Sequence, residues 1–151
     1  MLIGKDKSDE EAAEMLMRHR ARTFPAIIVL FAAIQAVNAD KIMDTGSPDW
    51  MAMASWLVMC VMLLAVVATG GGFVTRRPGI RAYTGDELSL SIRLRSFAFG
   101  FWAMIAGGFA LFVVSAWREI DTLLAAHSLI GLGVIAASAR YILLERRALK
   151  A

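Results

Sequence analysis

The stretch FAFGFWAMIAGGFALFVVSAW, residues 97–117, decides the fold. No charge interrupts it, and at a helical rise of about 1.5 Å per residue it matches the roughly 30 Å hydrocarbon layer of a bilayer. It reads as a membrane-spanning helix. Gly100, Ala103, Gly107, Ala110 and Val114 recur at helical spacing along one line, while Phe101, Ile105, Phe109 and Phe112 fall opposite. Lipid tails are as apolar as leucine, so helices in a membrane associate where small residues let backbones approach closely. The small face is the expected packing surface, and this helix is expected at the centre of a bundle.

Working outward, composition agrees. Of 151 residues 58% are hydrophobic, which is too apolar for an ordinary soluble domain and puts the chain in the membrane class. The mean hydropathy is +0.61. The single cysteine, Cys60, lies in an apolar run, so no intramolecular disulfide, CxxC pair or thiolate cluster can form.

Residues 1–22 are polar, with Ser8 to Glu11 as an S-x-x-E helix start, acids first and Arg18, Arg20 and Arg22 last, an order that suits the helix dipole. A solvated cytoplasmic helix is expected there. Span one covers about 23–40, with Pro25 in its first turn, where proline is tolerated. Val37, Asn38 and Ala39 have the small-residue spacing of a signal-peptidase site, but the acid-rich lead-in is a poor signal and an uncleaved span is expected. Span two covers about 50–72 and ends in Gly70, Gly71 and Gly72, which should terminate the helix. No G-K-[ST] follows, so a phosphate loop is not expected.

A loop over 76–95 leads to span three, about 96–117. A capping box at 84–87 predicts helix, although Leu88, Leu90, Ile92 and Leu94 alternate with polar residues at the strand period. Residues 118–121 form a short turn, span four covers about 121–144, and 145–151 is a basic tail. The predicted fold is an all-α, integral membrane four-helix bundle. Its transmembrane domain is 23–144.

Asp86 and Glu87, then Ile92 to Arg95, then an aromatic-rich span with Trp102, resemble a pattern in small uncharacterised prokaryotic multi-span membrane proteins, which place an acidic pair and basic residues before a transmembrane helix. The resemblance covers about a fifth of the chain. It implies several spans and no assigned activity, so it transfers no site residues.

Lys5, Lys7, Arg18, Arg20 and Arg22 lie before span one, Arg76, Arg77, Arg81, Arg93 and Arg95 in the middle loop, and Arg140, Arg146, Arg147 and Lys150 at the end. The other two loops hold only Lys41 and Arg118. Cytoplasmic segments retain positive charge, so this bias predicts an up-down-up-down path, N-in/C-in, in a bacterial cytoplasmic (inner) membrane. The basic balance is then topological, and no nucleic acid is expected. Trp50, Trp56 and Trp117 at one edge and Tyr141 at the other suit an interfacial aromatic belt.

With this path, Gln35, Ser55, His127 and Ser128 lie at similar depth and form a candidate polar layer, with a hydrogen bond expected between Gln35 and His127. His127, Gly131, Val134 and Ser138 share one helix face, which turns the histidine and the small Gly131 toward other helices. A b-type haem would need a second embedded histidine, and hydrolytic metal chemistry would need His and carboxylate clusters. No catalytic residue, cofactor or metal is expected. Met51, Met53, Met59 and Met62 are expected to fill packing gaps. The expected function is a non-enzymatic structural, accessory or regulatory membrane component. Its partners would be the lipid bilayer and a homo-oligomer or larger membrane complex. The alternative is a small-molecule or proton-coupled transporter built around His127, against which stands the lack of a carboxylate within a span.

Overall fold

The computed structural model describes residues 3–45, 49–70 and 87–148, and statements about structure concern those residues. Every element among them is helical: α1 (Ile3–Thr45), α2 (Trp50–Thr69), α3 (Glu87–Ser115) and α4 (Thr122–Ala148). Each contains a segment long and apolar enough to cross a membrane, namely Arg22–Asp44, Trp50–Thr69, Ser89–Ser115 and Thr122–Ala148. The fold is all-α.

α1 is one helix where the sequence suggested a polar helix followed by a separate span. Pro25 lies in its interior and not in a first turn. A proline there has no N–H for the carbonyl four residues back, so the ladder carries one gap. α2 is closed at both ends. Asp49 Oδ1 accepts from the backbone N–H groups of Met51 and Ala52 at 3.0 and 3.4 Å. At the other end Gly70 adopts φ +60°, the left-handed conformation that glycine takes without penalty, and stops the helix. Arg93, on α3, adds a second stop by donating through Nη1 to the carbonyl of Ala68 at 3.0 Å. Its charge sits at the negative end of the α2 dipole.

Residues 88–95 belong to α3 and are helical. Of the capping box, residues 84–86 lie outside the described residues, as does the rest of the loop back to 71. Asp121 caps α4, its Oδ1 accepting from Leu123 and Leu124 N–H at 2.8 and 3.0 Å. α4 then runs on through Glu145, which is buried and not part of an exposed tail.

The central helix is α4, not α3. α4 packs against all three others, while α3 leans almost entirely on α4. Among the α3 residues whose burial is described, 89–115, only Ser96 and Gly100 are buried. The core joins Phe24, Ile28 and Phe31 of α1, Trp56, Cys60, Leu63 and Val67 of α2, and Val134, Tyr141 and Ile142 of α4. α3 docks mainly on a separate flank of α4, with Ile92 at one end reaching the core. A Cβ on Gly100 would lie 2.8 Å from both the Ala137 Cβ and the Gly133 carbonyl oxygen, and one on Gly107 would lie 2.6 Å from Leu132. Ala103 is half-buried on this face, but Ala110 and Val114 are exposed, so the small stripe packs only over its first half. Phe101, Phe109 and Phe112 point outward. The methionines divide: Met59 packs against the core, whereas Met51 and Met62 are exposed and fill no gap.

Candidate functional site

Where α1, α2 and α4 meet, three polar side chains interlock. The row Phe24, Ile28, Phe31 turns one face of α1 inward, and Gln35 continues it one turn later. On α2, Trp56, Cys60, Leu63 and Val67 recur at helical spacing and are all buried. On α4 the buried row begins with His127.

The hydrogen bonds fix one another. An indole nitrogen only donates, so the Gln35 atom 2.6 Å from Trp56 Nε1 is the amide oxygen Oε1. The amide nitrogen then faces α4. It lies 2.9 Å from His127 Nδ1 and 2.9 Å from the His127 main-chain oxygen, one hydrogen for each. Nδ1 is the acceptor, so a neutral ring carries its proton on Nε2. His127 also lies against the indole, with ring centroids 4.4 Å apart at a 34° tilt.

Gly131 makes the approach possible. A Cβ there would collide with the Gln35 amide carbon, oxygen and nitrogen. One turn below His127, the missing side chain leaves the gap through which glutamine reaches the helix backbone. The histidine is 1% exposed, and its Nε2 has no hydrogen-bond partner.

The expected polar layer is thus only partly assembled. Gln35 and His127 are joined. Ser55 is exposed and donates to the Ala52 carbonyl in its own helix at 2.8 Å, and Ser128 is half-buried beside His127 and makes no bond to the network. α2 contributes Trp56 in place of Ser55, and Trp56 is buried at 4% exposure. It does not belong to an interfacial belt, and neither does Tyr141, which is 2% exposed and meets Phe24 edge to face. Trp50 and Trp117 are exposed. The signal for Trp56 was its helical register with Cys60, Leu63 and Val67.

A second polar group lies at the other end of the bundle. Arg93 ties α3 to the end of α2, Ser96 is fully buried with its hydroxyl on the Ile92 carbonyl at 2.7 Å, and Ser138 and Glu145 are buried on α4. Glu145 lies near the end of the α4 segment that is long and apolar enough to span, as Asp40 and Asp44 do in that of α1, so these segments hold carboxylates at their ends. Among the described residues no three His, Cys, Asp or Glu side chains gather as a metal site would require. No family model, curated protein or solved structure matches the chain.

Proposed function

We propose that the chain is a non-enzymatic integral protein of the bacterial cytoplasmic membrane, serving as a structural, accessory or regulatory component. The path is up-down-up-down with both ends in the cytoplasm. Gly100 meets Gly133 and Ala137, while Gly107, further along α3, meets Leu132 and Leu129, earlier on α4. Such reversed pairing supports an antiparallel neighbour, and the distribution of Lys and Arg supports the inward ends.

The observation that carries the reading is that Gln35 bonds both Trp56 and His127, two side chains buried inside the bundle. Each strong hydrogen-bonding group of Gln35 is used to join one helix to another, and the histidine is sealed from the surface. A carrier site needs polar groups that open to one side of the membrane. This arrangement supports glue between helices, a common role for polar side chains in membrane bundles.

Three measurements test it. The chain should stay in membranes through a carbonate wash and co-purify in mild detergent with a second copy or a stoichiometric membrane partner. In proteoliposomes, a proton-coupled flux lost in both His127→Ala and Gln35→Ala would establish transport instead.

A further inference from the structure

We propose that the outer flank between α3 and α4, at the end bearing Arg95, Arg140 and Arg147, binds the headgroup of an anionic phospholipid. Arg140 projects from inside the apolar α4 segment, and its guanidinium lies over the Phe99 ring of α3, 5.5 Å from the centroid. Arg95 precedes Phe99 by one turn on the same face of α3, and Arg147 follows Arg140 by two turns on the same face of α4. The Arg140 contact brings those two faces together. Arg95 and Arg147 are exposed. None of the three has a carboxylate partner among the described residues. The only acids on α3 and α4 are Glu87, two turns before Arg95, and Glu145, which is turned into the bundle.

The order of residues favours a lipid over a free phosphate. Along α3 the row reads Arg95, Phe99, Trp102, Ala106, that is cation, aromatic, aromatic, small apolar. A phospholipid presents phosphate, glycerol backbone and acyl chain in the same order. Guanidinium groups grip phosphate oxygens through paired hydrogen bonds, and stacking on Phe99 holds one of them ready. A soluble phosphate would make no use of Trp102, which is 66% exposed beside the expected tail.

The assignment rests on the membrane reading above. The test is native mass spectrometry of the detergent-purified full chain with phosphatidylglycerol, phosphatidylcholine or inorganic phosphate. Phosphatidylglycerol should bind in preference to phosphatidylcholine, and the double variant Arg95→Gln, Arg140→Gln should weaken it roughly thirtyfold, as expected for two surface cations. Arg118→Gln, at the far end of α3, should leave it unchanged, and Arg140→Lys should retain part of the preference. Equal binding of the two lipids, undiminished binding in the double variant, or equal protection by inorganic phosphate would each overturn the site. Release of the chain from membranes by carbonate would overturn both readings, whereas retention with unselective lipid binding would overturn this one alone.

Discussion

A buried indole has one hydrogen to give, and Trp56 gives it to Gln35. Trp56→Phe keeps most of the apolar contact but leaves Gln35 Oε1 without its donor. The expected loss is about 1–2 kcal/mol in unfolding from detergent micelles, the range for a buried acceptor left unpaired in a membrane bundle. Ser55→Ala, one residue away, should change stability by less than about 0.5 kcal/mol, because that hydroxyl only bonds its own helix. Glycines give a sharper contrast. Gly131→Ala drives a methyl into the Gln35 amide and should cost about 1–3 kcal/mol, whereas Gly108→Ala meets nothing within 4 Å and should be neutral or gain up to about 1 kcal/mol. Equal effects at the two glycines would contradict the packing described here. Depth along the spans was enough to pair Gln35 with His127, since both count back similarly from the same membrane edge. Choosing between Ser55 and Trp56 needs rotation about the helix axis, which depth does not supply. The buried row continuing through Cys60, Leu63 and Val67 does supply it.

Between elements, the bundle divides into a core of α1, α2 and α4 and a docked α3. Gly107→Leu should therefore lift α3 from α4 without opening the Trp56, Gln35 and His127 network, since among the described residues a Cβ on Gly107 would meet only Leu132 and Leu129. Cysteine cross-linking between α3 and α4 should fall in that variant, while Trp56 fluorescence keeps its buried character. A simultaneous shift of both would mean that the four helices pack as one unit. The four spans were legible as uncharged runs because charge at membrane depth is costly. Which span is central was not. In water a buried face is apolar and a free face polar, but a lipid-facing side is as apolar as a core-facing one, so composition does not rank the helices. α3 shows one small face and needs one neighbour. α4 has two close approaches, Gly131 toward α1 and Gly133 toward α3, and that pair marks it as the hub. The length of α1 was hidden for a related reason. Pro25 suits a first turn by propensity, yet a single missing hydrogen bond is tolerated inside a long helix whose inward face is held by packing.

For the whole molecule, the proposed orientation is the property on which the proposed lipid site depends. Cytoplasmic retention of Lys and Arg predicts it, and the bias here is carried by three of five flanking segments. Single cysteines introduced at Ser8, Ser47, Glu119 and Lys150, with Cys60 replaced by alanine, can read it out. Cys60 is buried, so its removal should alter little beyond the local core. A membrane-impermeant maleimide applied to intact cells should label positions 47 and 119 at once. Positions 8 and 150 should react only after the membrane is opened. Position 119 precedes α4 and Ala148 ends it, so the two ends of that helix lie on opposite sides if it spans, and the decisive comparison is between the two chain ends. If position 8 labels from outside while position 150 does not, α1 fails to cross as drawn. Gln35 would then have to reach His127 from a helix entering on the other side, which the packing of Phe24, Ile28 and Phe31 against the α2 and α4 core opposes.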